Sequence, residues 1–274
     1  MIPPPDPRPR GGVMPPDITG FNRASWNQIH PDRPGRPASY FAGGGTTLSP
    51  AELAAAGDVR GRRVLQLACS CGDDALSWAN LGASVVGADI SEVAIAMATE
   101  KSVAAGVPVE FVRADMLDLP SSLTGFDVIY LSWGAICWVP DLNTFATSVA
   151  HRLTPGGSIL IADHHPIWEI LSVQGPNHLT VTADYFARTT PRATIDNPKL
   201  PTGARDNPDA PTFTAFIWPP SDIVTALLSA GLTLTAFQES AVPEMYDGLG
   251  AASAHLPATY LIHAARDVSH ETSP

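Results

Sequence analysis

The stretch VLQLACSCGDDALSWANLGASVVGADIS, residues Val64–Ser91, decides the fold. It opens on an apolar run, turns through small residues, continues with apolar residues at helical spacing as far as Gly82, and closes on a second apolar run. This is a strand, a turn, a helix and a strand, the repeating unit of a parallel sheet. The turn stands where many nucleotide-binding proteins carry several glycines. Here Gly72 is the one glycine left beside Ala68, Cys69, Ser70 and Cys71.

The same alternation continues on both sides. Upstream, Ser49 caps a short helix opened by Pro50. Downstream, SEVAIAMATEKSVAAG reads as a helix capped by Ser91 and ended by Gly106, VEFVRAD and FDVIYLSW as strands, DLNTFATSVAHRL as a helix, TPGG as a turn and SILIADHH as a strand. PPSDIVTALLSAGL is a last helix, followed by TLTAFQES and ATYLIHAAR. The pattern predicts an α/β fold with right-handed crossovers, a mostly parallel sheet and helices on both faces. Ligands of such sheets sit at the carboxyl ends of the strands.

A chain of 274 residues, 45% of them hydrophobic, suffices for one large domain. The net charge of -11 opposes binding to phosphate backbones, so a nucleic acid partner is not expected and a small-molecule substrate is. No apolar stretch approaches the roughly 18 to 20 residues that span a bilayer, and the N-terminus lacks the apolar core of a signal peptide, which predicts a soluble, cytoplasmic protein. Three cysteines make no disulfide framework, and Cys69-x-Cys71 lacks the second ligand pair of a structural zinc site, so no metal is expected. The Pro- and Gly-rich residues 1–20 predict a disordered leader, with Met14 as an alternative start; 21–62 read as a lid-like segment and helix, and 267–274 as a tail. Nothing in the sequence speaks to oligomeric state.

The residues that follow each strand are the ones to weigh: Ala68 to Asp73, Asp89, Asp115, Ser132 and Trp133, and Asp163 to His165. The first turn lacks G-x-G-x-x-G, and Asp73 and Asp74 open its helix, two features that disfavour a pyrophosphate. A ligand without phosphate, or a positive one, suits it better. Asp89 is placed to accept from ribose hydroxyls and Asp115 from an adenine amino group. Each aspartate alone serves equally well as a loop or cap residue; their joint placement supports binding.

In order, VLQLACSCGDD, VVGADIS, RADMLDLP, FDVIYLSWGAICWVPDL and LTPGGSILIADHHP resemble a class I S-adenosylmethionine-dependent methyltransferase of the small-molecule type found in bacterial secondary metabolism, over residues 21–266. The family's first turn reads acidic-x-G-x-G-x-G, and Gln66, Ala68, Ser70 and Gly72 take those places here. A subgroup with LxC, a single glycine and DTLSWARLGA is similar to LACSCGDDALSWANLGA. The resemblance implies a Rossmann-like seven-stranded sheet whose last strand is antiparallel, and S-adenosylmethionine as cofactor, a ligand with a positive sulfonium and no phosphate. It further implies that Ala68, Cys69 and Gly72 lie at the cofactor, with Asp89 and Ile90 at the ribose, Asp115 and Met116 at the adenine, and Leu131 and Ser132 beside the sulfonium and amino group. The N-terminal segment, with Trp26, His30 and Tyr40, would close over it.

Residues 166–218 form a long insert after the fifth strand, of a length that is usually functional or disordered, and are expected to cap the substrate. Trp133 and Trp138 near the fourth strand, with Trp168, Tyr185 and Phe213 in the insert, are the expected substrate-binding rings, suited to a flat or apolar molecule. A core uses such rings too. Methyl transfer asks the protein mainly to hold the nucleophile in line, and a base is needed where the nucleophile carries a proton. His164 and His165 are the candidate bases, with Tyr40 as relay and Glu169 or Glu52 to orient the imidazole; one histidine serves equally as a strand-end cap. The expected function is methylation of a small aromatic or heteroaromatic natural-product intermediate at N, O or C, indole-type substrates included. The alternative is a non-catalytic S-adenosylmethionine or nucleoside binder of the same fold. A nicotinamide oxidoreductase is disfavoured by the missing glycine fingerprint and the absence of a Tyr-x-x-x-Lys pair.

Overall fold

A computed structural model describes residues 17–193 and 211–268. The helices are α1 (Ile18–Ile29), α2 (Ala38–Ala42), α3 (Pro50–Ala56), α4 (Asp73–Asn80), α5 (Glu92–Ala105), α6 (Leu142–Arg152), α7 (Pro166–Ile170) and α8 (Pro220–Ser229). The strands are β1 (Arg63–Leu67), β2 (Ser84–Asp89), β3 (Glu110–Arg113), β4 (Phe126–Ser132), β5 (Leu153–His164), β6 (Leu171–Gly175), β7 (His178–Val181), β8 (Arg188–Ala193), β9 (Thr214–Ile217), β10 (Leu232–Ser240) and β11 (Thr259–Arg266). Seven of them form one sheet in the order β10, β11, β5, β4, β1, β2, β3. The strand β11 runs antiparallel to both neighbours, and the pairs from β5 through β3 are parallel.

The two-residue period of the strands sorts their side chains between two buried layers. On one face Leu65, Leu67, Ile129, Leu131, Ile159 and Ile161 pack with Phe145 and Val149 of α6 and Ile223 and Leu227 of α8. On the other, Val64, Val128, Tyr130 and Leu160 pack with Ala56 of α3 and with Ala75 and Trp78 of α4. Tyr130 carries its hydroxyl into this second layer and donates it to the buried carboxylate of Glu52. The other Glu52 oxygen accepts the Ser49 N–H at 2.7 Å, closing the capping box that starts α3. Glu52 is thereby committed to the core, where it reaches no histidine of the expected catalytic pair.

Of the expected leader, residues 1–16 lie outside the described residues, and Ile18–Gly20 already form the first turn of α1, where the Asp17 carboxylate accepts the Gly20 N–H. Residues 194–210 of the expected cap also lie outside them. The rest of that insert is more regular than a loop. Strands β6 and β7 form a hairpin whose turn passes through Gly175 and Asn177, both at positive φ, and β8 pairs antiparallel with β9. Glycine, proline and asparagine between short apolar runs are the residues such a turn uses.

The turn after β1 has three residues in left-handed backbone, two of which carry a Cβ. Ala68 and Ser70 stand at φ 51° and 50°, and Gly72 at φ 85°. Left-handed backbone costs a residue with a Cβ about 1 kcal/mol or more. Gly72 is needed for a second reason, since a Cβ there would lie 2.9 Å from the Phe111 ring and 3.0 Å from the Ala98 methyl. Ser70→Gly should therefore raise the unfolding free energy by about 0.5 to 1 kcal/mol, the relief of strain less the added freedom of the unfolded chain. Urea titration of the two proteins measures this; a less stable variant would show that the serine side chain, not the backbone, sets the conformation.

Candidate cofactor and substrate site

The carboxyl ends of β1 to β5 open into one cavity of about 300 Å³, roofed by the N-terminal segment. Thr19, Asn22, Trp26, His30 and Arg33 line it, at steps of three and four residues that put them on one side of α1 and the turn that follows. The helix is held over the cavity by two reciprocal 2.8 Å hydrogen bonds between the Asn22 amide and the backbone of Thr214. Asn27 accepts from the Ser91 hydroxyl at 2.7 Å. The roof is thus stitched to the approach to β9, within the insert, and to the start of α5.

Asp89 ends β2 as expected and is buried. One oxygen accepts the Ser70 N–H and the other the Ser91 N–H, each at 2.9 Å. Burial pushes its carboxyl pKa up, against the backbone donors at Ser91 and Ser70 that pull it down. Asp115 accepts the Leu117 N–H at 2.9 Å, and Met116 and Ile90 line the cavity beside these two carboxylates. Ala68, Ser132, Trp133, Trp138, His164 and Trp168 also line it. The structure therefore brings together eleven of the expected site residues, counting Trp26, Ile90 and Met116.

Seven others stand apart from the cavity lining. Leu131 belongs to the core layer under α6, Cys69 packs against Gly87 at the foot of the turn, and Gly72 packs against Phe111. Phe213 is buried behind the lid, its ring 4.7 Å from Trp26 and 5.5 Å from Trp138. Tyr185 stacks edgewise on Phe186. Tyr40 sits on the outer side of α2, its hydroxyl donated to the Thr46 carbonyl at 2.6 Å, because Phe41 beside it takes the buried position. His165 is the seventh. Its Nδ1 accepts the Ile167 N–H at 3.1 Å as the cap of α7, and its Nε2 meets Glu239 at 2.8 Å. With Nδ1 accepting, Nε2 carries the proton, and neither nitrogen is left to take one from a substrate. The orienting carboxylate of that imidazole is Glu239 of β10, not Glu52 or Glu169.

His164 faces the other way, into the cavity, with its ring 5.6 Å from Trp133 and 5.0 Å from Trp168. Asp163, next to last in β5, is buried and accepts N–H groups from Gly134, Ala135 and Ile136, fixing the loop after β4. The acidic start of α4 turns out to be neutralised. Asp73 pairs with Lys101 and accepts the Arg36 N–H at 2.7 Å, while Asp74, half-buried, accepts the hydroxyls of Thr47 and Ser132, with desolvation raising its pKa. Positive charge reaches the cavity from Arg33, whose guanidinium lies 5.8 Å from the centroid of the Trp26 ring and whose pKa burial lowers. His30 stacks on Trp26, and burial together with Arg33 pushes its pKa down to about 4, so its imidazole is neutral near pH 7. Arg33, Ser70, Gly134 and Glu169 are lining residues that the sequence reading did not assign to binding; the three-and-four spacing from Thr19 to Arg33 was the available signal for the first.

Comparison with known proteins finds a methyltransferase domain in the chain. Residues 64–157 match the family described as methyltransferase domain. The ubiquinone biosynthesis O-methyltransferase of Rhizobium etli (strain CIAT 652) is 36% identical over 104 residues, 38% of this chain and 42% of that protein, so the chain spans less than half of this curated relative. An S-adenosylmethionine-dependent methyltransferase from Mesorhizobium loti superposes with a TM-score of 0.60 at 22% identity, over 79% of this chain and 96% of that one. The cyclase SpnF superposes equally well, at 0.60 and 16% identity, over 94% and 100% of the two chains. Both structural likenesses speak for the fold, and the matched methyltransferase domain takes in the turns after β1, β2, β3 and β4 that line the cavity.

Proposed function

We propose that this chain transfers the methyl group of S-adenosylmethionine to a small aromatic or heteroaromatic nucleophile, a natural-product intermediate of the indole or phenol type. The observation that carries the reading is one cavity with two chemically different ends: Asp89, Asp115 and Arg33 by the strand-end turns, and His164 with Trp133 and Trp168 beyond them. The similarity to an O-methyltransferase favours an oxygen acceptor.

The donor set fits the cofactor. The Asp89 oxygens accept backbone N–H groups from Ser70 and Ser91, and a carboxylate, with about four lone-pair sites, has acceptor capacity left for a ribose hydroxyl. The Arg33 guanidinium, which lines the cavity together with Ala68 and Ser70 of the turn, suits the carboxylate of the methionine part. Bound there, the cofactor supplies a methyl already activated on a sulfonium. The chain then has to hold the acceptor in line and dry, which the Trp26 roof and the aromatic wall do. His164 takes the acceptor's proton where there is one to lose.

Three outcomes are expected. Asp89→Ala should weaken S-adenosylhomocysteine binding by roughly 1.5 to 3 kcal/mol, for lost bonds to a charged acceptor; calorimetry giving wild-type affinity would remove the ribose assignment. Arg33→Ala should weaken S-adenosylhomocysteine about tenfold or more while leaving 5′-methylthioadenosine, which lacks the amino-acid part, within about twofold. Equal losses for the two ligands would mean that Arg33 shapes the roof and does not meet the carboxylate. In single-turnover methyl transfer against a panel of phenols and indoles, His164→Ala should lose about 10²- to 10⁴-fold in rate with cofactor affinity intact. A wild-type rate in that variant would leave proximity alone as the source of catalysis, and no turnover by the wild type on any acceptor would favour the non-catalytic binder.

A further inference from the structure

The outer wall of the cavity contains more than methyl transfer to a flat ring requires. Trp133 has its backbone at φ 41°, a left-handed conformation that bulky residues rarely adopt, yet its indole is 43% exposed. Burial of the ring therefore returns little for the strained backbone. The conformation is enforced from behind: the Trp133 N–H donates to the Ala162 carbonyl at 2.8 Å, and the next three N–H groups donate to Asp163. Strain held in this way at a cavity rim marks a side chain placed for contact.

The wall continues through His164 to Trp168, whose Nε1–H donates to the Met245 carbonyl at 2.6 Å and fixes the plane of the indole. Glu169 follows on the same short helix, which His165 caps, and lines the same cavity. This end thus offers two indole faces and a carboxylate. Among the described lining residues Arg33 is the one Lys or Arg side chain, and its guanidinium lies against the Trp26 ring of the roof, 5.8 Å from its centroid.

We propose that Trp133, Trp168 and Glu169 form a subsite for a protonated amine carried by the methyl acceptor. The inference rests on the methyl-transfer reading above and names its substrate class: an arylalkylamine, with the reacting atom on the ring and the ammonium on a short arm. The negative faces of the indoles attract a cation, and Glu169 supplies its counter-charge. An anionic arm would meet like charge at both. The chain's net charge of -11 favours encounter with cations as well. The ammonium stays protonated throughout, so His164 remains available to the ring nucleophile.

Three probes that share the indole ring separate charge from shape: tryptamine, the neutral tryptophol and the anionic indole-3-propionate. Each is titrated calorimetrically into the full chain saturated with S-adenosylhomocysteine. Tryptamine should bind at least about tenfold more tightly than tryptophol, with indole-3-propionate weakest, and Glu169→Gln and Trp133→Leu should each cut the preference to about threefold or less with S-adenosylhomocysteine affinity unchanged. Equal binding of the three probes, a preference for the anion, binding by none, or a tryptamine preference that survives both substitutions would overturn the proposal; the last would place the cation elsewhere in the cavity. Failure of S-adenosylhomocysteine to bind would instead strike the methyl-transfer reading, and the same titrations without it would still report the charge preference.

Discussion

The carboxylate of Asp89 is the point on which the site hangs. It accepts from Ser70 in the turn after β1 and from Ser91 at the start of α5, so a single buried side chain joins two strand ends. The turn needs this help. Three of its residues lie in left-handed backbone and two of them carry a Cβ, a conformation that a loop left to itself would relax. Glycine would make the turn easier to form; the hydrogen bond from Ser70 makes it hold without glycine. The same oxygens that organise the turn face the cavity, so the group that would bind a ribose also builds the shape around it. A change at Asp89 acts on the fold and on the ligand together.

Charge in the site follows pairing, not residue type. Two aspartates at the head of α4 suggest an acidic mouth, but Asp73 is held by Lys101 and by the backbone of Arg36, and Asp74 accepts two hydroxyls. These bonds bring residues 34–47 down onto α4 and so place Arg33 at the cavity. A loop that neutralises acid in this way also delivers the cation. With that acid neutralised, what disfavours a pyrophosphate here is geometry: the side chains on Ala68 and Ser70 crowd the close approach that a phosphate makes to glycine.

The sheet and its helices were legible because their signals are local. Apolar runs, the Ser91 and Ser49 caps and the stops at Gly82 and Gly106 each depend on a few neighbouring residues, and the family motifs fall on them. The insert was not legible to the same degree. Its hairpin lies within LSVQGPNHLTV, where turn residues separate two apolar runs of only a few residues each, too short to stand out within so long a segment. Ring positions were the least legible. Whether Phe213 or Trp138 faces a ligand depends on which of them the roof covers, and α1 reaches the approach to β9 from 192 residues away in sequence. Helical spacing does place Trp26, His30 and Arg33 on one side, and that much of the roof can be read from the chain alone.

The histidine pair shows how far strand geometry goes when it is applied strictly. Successive residues at the end of a strand project to opposite sides, so His164 and His165 cannot both face one cavity. Sequence alone does not say which one does, because both are polar and both follow a buried strand. The neighbours decide it. Asp163 turns inward to bind the loop after β4, His164 then points across that loop at Trp133, and His165 is carried to the far side, where the α7 backbone and Glu239 occupy both of its nitrogens. Its burial lowers the pKa, and the Glu239 carboxylate opposes that shift, which is the electrostatics of a structural contact between α7 and β10. The residue that looks like a second base is therefore the one that positions the helix bearing Trp168 and Glu169, and its influence on the site is mechanical.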